Sequence, residues 1–147
     1  MRFTYKIIPL PKPHPAFPDE RSAWMPYLPV RLSVTDGTPT PRIEALIDSG
    51  SAYTLFRADI GLALGLDVTG GIHTVTGGIV SGQAIDMYFH DVTLWLGADV
   101  IDITAGFSPQ MSIGAILGRR GFFEHFIITF DPSADPPGFD IHRLGRT

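Results

Sequence analysis

The sequence contains no cysteine. That excludes thiol nucleophiles, disulfide cross-links, Cys-ligated zinc and iron–sulfur clusters, and it suits a reducing compartment. No apolar run reaches the ~18 to 20 residues that span a bilayer. Residues 1–9 carry only a short apolar stretch broken by proline, so no signal peptide is expected. These two absences give the expectation of a cytoplasmic protein with no membrane partner. An excess of positive charge is missing as well: 11 Lys+Arg against 15 Asp+Glu leaves a net charge of −4, and the basic residues are scattered. Such a chain is poorly suited to gripping a phosphate backbone, and no nucleic-acid partner is expected.

Several catalytic patterns are also absent. The five histidines (His14, His73, His90, His125, His142) are far apart, with no spacing that puts two on one helix face, so no metal site is expected. His90-Asp91 invites a Ser–His–Asp proposal, but adjacent strand residues point to opposite faces, and there is no Gly-x-Ser-x-Gly elbow. Residues 77–82 are glycine-rich but lack the Lys-Ser/Thr of a phosphate loop and precede a strand rather than a helix. No cofactor is implied. The chain has no internal repeat at 20 to 50 residues, so it does not hold two copies of a half-domain.

What remains is a 147-residue chain, the size of one domain, able to bury roughly 70% of its unfolded surface without staples. Hydrophobic residues make up 44% and charged residues 18%, with 16 glycines and 13 prolines. This mixture suits many short strands joined by turns. Seven prolines fall within residues 9–29. Proline lacks the N–H that a ladder or helix interior uses, so residues 1–26 are expected to be a Pro-rich N-terminal arm ahead of a single domain over 27–147. Such an arm wraps the surface or reaches another chain, a second copy or a different protein.

Residues 27–34 alternate, with Leu28, Val30, Leu32 and Val34 on one face and Arg31 and Ser33 on the other, and Asp36-Gly37 follows as a hairpin turn. Residues 41–47 form a second strand that becomes wholly apolar as it reaches Asp48. Residues 54–66 fit a helical period ending at Gly65. Residues 72–75 and 85–96 form a long hairpin with glycines 77, 78 and 82 near its bend. Further strands are expected at 99–103, 113–117, 127–130 and 139–142, with a brief helix over 119–126.

The segment from Ala45 to Ser51 (Ala-Leu-Ile-Asp-Ser-Gly-Ser) delivers a carboxylate from a buried strand into a tight turn. A buried ionised carboxylate costs several kcal/mol unless hydrogen bonds or a partner compensate, so Asp48 is either satisfied structurally or tuned for chemistry. An Asp-Ser/Thr-Gly arises by chance in roughly 5 to 10% of chains this long, and by itself it is an ordinary Asx or Ser turn. A second element stands 70 residues downstream: Ala115-Ile116-Leu117-Gly118-Arg119, followed by Gly121-Phe122-Phe123.

Together the two motifs resemble the retropepsin-like aspartic proteases, over about residues 27–142. The resemblance implies an all-β, closed or partly open β-barrel with one short helix near the C-terminal third and a flap hairpin. It implies that Asp48 is the catalytic aspartate, that Ser49 interlocks two active loops across a dimer, and that Gly50 lines the cleft floor. Thr76, Gly77, Gly78 and Ile79 fall at or near the flap tip, and Ile116, Leu117, Gly118 and Arg119 form the second motif packed behind the acid. Ala52 departs from the acid that retroviral members carry two residues after the motif glycine, so the acid–arginine brace around Arg119 is expected to be replaced or absent. Because the chain supplies one Asp-Ser-Gly and the chemistry uses two carboxylates, the implied enzyme is a homodimer acting on peptide or protein substrate. The alternative is a retropepsin-like dimerisation or peptide-binding module without turnover.

Overall fold

The computed structural model describes residues 1–77 and 84–145. Among these described residues, twelve strands follow one another as β1 (Arg2–Thr4), β2 (Lys6–Pro9), β3 (Ser22–Met25), β4 (Tyr27–Ser33), β5 (Ile43–Ile47), β6 (Leu55–Arg57), β7 (Ile72–Gly77), β8 (Ala84–Leu96), β9 (Asp99–Ser108), β10 (Ala115–Leu117), β11 (Phe126–Asp131) and β12 (Gly138–Arg143). A short helix α1 (Ala58–Ala63) and a 3₁₀ turn (Val68–Gly70) lie between β6 and β7.

The largest sheet runs β4-β5-β10-β6-β9-β8-β7, and β4 also pairs with β8. That second pairing closes six strands into a barrel and leaves β7 attached outside it, on β8. Closure removes the exposed ladder edges that an open sheet would offer to other chains. The barrel is mixed: β10 runs parallel to β5, and β6 parallel to β9, among otherwise antiparallel pairs.

The alternation expected in β4 is what fills the barrel. Leu28, Val30 and Leu32 are buried, as are Ala45 and Ile47 of β5, Phe56 of β6, Leu94 of β8, Phe107 of β9 and Leu117 of β10. Each fully buried side chain of the Val, Leu or Phe kind contributes about 1.5–3 kcal/mol relative to exposure. A second layer, the sheet β1-β12-β11, brings Phe3, Phe126, Phe139 and Ile141 onto the same core.

Residues 1–26 are paired with the rest of the chain and with each other. β1 lies antiparallel to β12, and β2 pairs with β3 in a separate two-stranded hairpin in which Ile7 faces Trp24. Pro9 stands at the end of this ladder, opposite Ser22, and Pro11, Pro13, Pro15 and Pro18 fall in the segment between the two strands.

The helix differs in place from the expectation. Leu55–Arg57 belongs to the barrel because Leu55 and Phe56 are buried between β10 and β9, so only Ala58–Ala63 is helical. Its end matches the expected stop: Gly65 has φ 82° and its N–H bonds to the Leu62 carbonyl. Residues 119–126 form wide turns rather than a helix, closed by Phe123 N–H to Gly118 O and Glu124 N–H to Arg119 O, with Gly121 at φ 91°. Phe122 and Phe126, ring centroids 5.1 Å apart, are both buried by this arrangement.

Candidate active site

The apolar strand β5 ends at Ile47, and the chain turns at once. Asp48 donates its N–H to the Leu117 carbonyl (3.0 Å), and its own carbonyl accepts the N–H of Ser51 (3.1 Å). The carboxylate Oδ1 accepts the N–H of Gly50 at 2.9 Å, an Asx turn in which the acid caps its own loop. A Cβ on Gly50 would stand 3.1 Å from that oxygen, so the close approach suits glycine. Ile47 is buried and Asp48 half-buried, while Ser49 and Gly50 are exposed. The acid is therefore less deeply buried than the apolar run before it suggests.

The second motif stands directly beside this loop. In the parallel pair β5–β10, Leu46 faces Ile116 and Ile47 faces Leu117. Beyond the strands the pairing continues through loops: Arg119 N–H to Ser51 O (2.9 Å), Arg120 N–H to Ala52 O (3.0 Å) and Thr54 N–H to Arg120 O (3.0 Å). A Cβ on Gly118 would collide with the backbone carbonyl of Tyr53 and lie 2.8 Å from that of Ser51, so only glycine allows the two loops to meet. The Arg119 guanidinium donates to the Ser49 carbonyl at 3.1 Å. With Ala52 in place of an acid, the arginine brace is replaced by this bond to the backbone.

The structure thus brings Asp48, Ser49 and Gly50 together with Leu117, Gly118 and Arg119, while Ile116 supports them from β10. Thr76 and Gly77 sit elsewhere, at the end of β7, paired with Ile85 and Ala84. Around the closed barrel, β8 and β4 stand between them and β5. Gly78 and Ile79, also expected at the flap tip, lie outside the described residues.

Two groups of residues went unnoticed in the sequence. Thr54, fully buried, donates its hydroxyl to the Arg120 carbonyl (2.8 Å) and accepts the N–H of Gly118 (3.2 Å). Its one sequence signal is a lone hydroxyl entering the apolar run Leu55-Phe56. The second group braces the stem of the β7–β8 hairpin. His73 Nε2 lies 2.7 Å from Asp86 Oδ1, and the His73 ring stacks on Tyr88. Gln110 donates to Asp86 Oδ2 (2.9 Å) and accepts the Asp86 N–H (3.0 Å). The hydrogen bonds from His73 and Gln110 hold the Asp86 carboxyl below the usual carboxylate range. Among the described residues, no group of three or more His, Asp or Glu side chains is placed to hold a metal, and no helix is long and apolar enough to cross a membrane.

No protein-family model and no curated protein matches the chain. Solved structures do. A retropepsin-like aspartic protease from Rickettsia conorii superposes with a TM-score of 0.59 at 12% identity, covering 95% of this chain and 98% of that one. The retroviral protease-like domain of Ddi1 from Leishmania major gives 0.51 at 16% identity, over 70% of this chain and 79% of that one. With its closed six-strand mixed barrel, one short α-helix among the described residues and paired Asp-Ser-Gly and Ile-Leu-Gly elements, the chain has the retropepsin-like fold.

Proposed function

We propose that two copies of this chain form a homodimeric aspartic endopeptidase, with Asp48 of each copy contributing one carboxylate to a shared dyad. The observation that carries this reading is the Asp48 loop. Its backbone is bonded to Leu117 and Arg119, yet Ser49 and Gly50 are exposed beside a half-buried carboxylate. A rigid loop with an open face is what a second copy needs to bring its own Asp48 alongside across a twofold axis.

Two like charges held at hydrogen-bond distance do not both ionise easily, so the pair keeps one proton. The protonated carboxyl polarises the peptide carbonyl, and the ionised one removes a proton from water as the oxygen attacks the carbonyl carbon. Collapse of the resulting tetrahedral species breaks the C–N bond, with a proton passing from the dyad to the departing amine. The Gly50 N–H bond to Oδ1 keeps the carboxylate plane fixed during these transfers. Peptide lies extended between the dyad and the end of β7 at Thr76 and Gly77, bound chiefly through its main chain. Ser49 of each copy links the two loops.

The test is incubation with a mixed peptide library across pH 4 to 7, with and without a hydroxyl-bearing mimic of the tetrahedral species, alongside sedimentation of the same preparation. Cleavage that the mimic blocks and that Asp48→Asn abolishes, with the dimer retained in both proteins, is the expected result. A dimer that binds peptide without cutting it identifies a non-catalytic module. A monomer at all concentrations rules out the shared dyad.

A further inference from the structure

The outside of the barrel carries a second concave surface, at the opposite end of β5 from Asp48. Arg31 of β4 is paired directly with Trp95 of β8. On its other side Val30 pairs with Ile43, the first residue of β5, and Arg42, just before that strand, lines the same cleft as Arg31 and Trp95. Val30, Leu32, Leu94 and Leu96 are buried, so the intervening Arg31 and Trp95 face outward by strand alternation. Two guanidinium-bearing residues and an indole therefore share one cleft, Arg31 and Trp95 on paired strands and Arg42 at the entry to β5. With Phe3, Pro29 and Pro39 they line a cleft of about 570 Å³, within the ~300–1,000 Å³ typical of small-molecule sites.

The charge of this cleft runs against that of the chain. The protein carries −4 overall, yet the cleft lining includes two arginines and no acid. Arg2 and Arg57 each pair with a carboxylate, Asp140 and Asp59. Among the described residues the side chains of Arg31 and Arg42 have no hydrogen-bond or ion-pair partner. Two like charges lining one cleft repel, and a bound anion reverses that cost. Guanidinium forks match the paired oxygens of phosphate and carboxylate. The Trp95 N–H is already given to Ser33 Oγ at 2.9 Å, so the indole offers the cleft ring surface rather than a donor. Phe3 and the two prolines extend that apolar wall.

We propose that this cleft binds a small organic anion in which a phosphate or carboxylate, held by Arg31 and Arg42, is carried on a planar ring lying against Trp95. The site stands independently of any chemistry at Asp48.

The chain has two tryptophans, so Trp24→Phe leaves Trp95 as the sole indole reporter. That protein is titrated with phenyl phosphate, benzoate and inorganic phosphate, by indole fluorescence and by calorimetry. Saturable one-to-one binding is expected, tighter for the better of the two ring-bearing anions than for inorganic phosphate, and whichever of them binds more tightly identifies the anionic group. Arg31→Gln and Arg42→Gln, checked for native circular dichroism, should each weaken it by roughly tenfold or more, the worth of a hydrogen bond to a charged group. Arg21→Gln, outside the cleft, should leave it unchanged. Absence of saturable binding by all three probes, or binding that survives both cleft substitutions, overturns the proposal.

Discussion

The Thr54 hydroxyl donates to the Arg120 carbonyl at 2.8 Å, across 66 residues of sequence, and the same oxygen accepts the Gly118 N–H. One fully buried side chain thus fastens the loop after Asp-Ser-Gly to the loop after Ile-Leu-Gly. Replacing it by valine keeps the shape and leaves the Gly118 N–H without this acceptor. Thr54→Val should lower stability by about 1–3 kcal/mol in denaturant unfolding. Thr54→Ser should recover most of that loss, and equal loss in both would mean that the methyl group, not the hydroxyl, matters.

Gly118 marks the closest approach of the two loops. A methyl group there meets the backbone carbonyls of Tyr53 and Ser51, neither of which can swing aside like a side chain. Gly118→Ala should therefore cost ~3 kcal/mol, at the upper end for overpacking. Gly114, four residues earlier, has nothing within 4 Å of an added Cβ. Gly114→Ala should stay within about 0.5 kcal/mol of the parent. Thermal unfolding of the pair separates crowding at the loop junction from a general intolerance of this segment.

The Asp86 brace predicts a pH dependence of defined sign. Its hydrogen bonds from His73 and Gln110 depress the folded-state value, so its contribution is present above the ordinary carboxylate value and fades as pH falls through the depressed one. The difference in melting temperature between the parent and Asp86→Asn should be constant near neutrality and close at low pH. It should be small, because both His73 and Asp86 are substantially exposed. A gap that stays open at the acid limit would mean that the charge of Asp86 is not what the brace uses.

Much of this arrangement was legible in the sequence, and the physical reasons are specific. Strand alternation placed Leu28, Val30 and Leu32 in the barrel, and the apolar run into Asp48 located the turn where β5 ends. Gly65 stopped α1 where expected. The beginning of that helix was hidden because Leu55 and Phe56 satisfy a helical period and a buried strand equally well, and tertiary pairing with β9 and β10 decides between them. The brief helix expected over residues 119–126 failed for a related reason. Gly121, at φ 91°, permits the wide turns, and burying Phe122 and Phe126 together holds the chain in them. Thr54 and Gln110 were invisible because their partners lie 66 and 24 residues away, and no local pattern encodes such distances.

In the proposed enzyme, one active site requires Asp48 from two chains. The most direct measurement mixes parent chains with Asp48→Asn chains in equal amounts, refolds them together so that subunits pair at random, and assays cleavage of a peptide identified from the library. Random pairing leaves about a quarter of the dimers with two carboxylates, so activity per total chain should fall to about a quarter and follow the square of the parent fraction across other ratios. Activity that falls only to about half, in direct proportion to the parent fraction, would contradict the shared dyad and assign the chemistry to each chain alone.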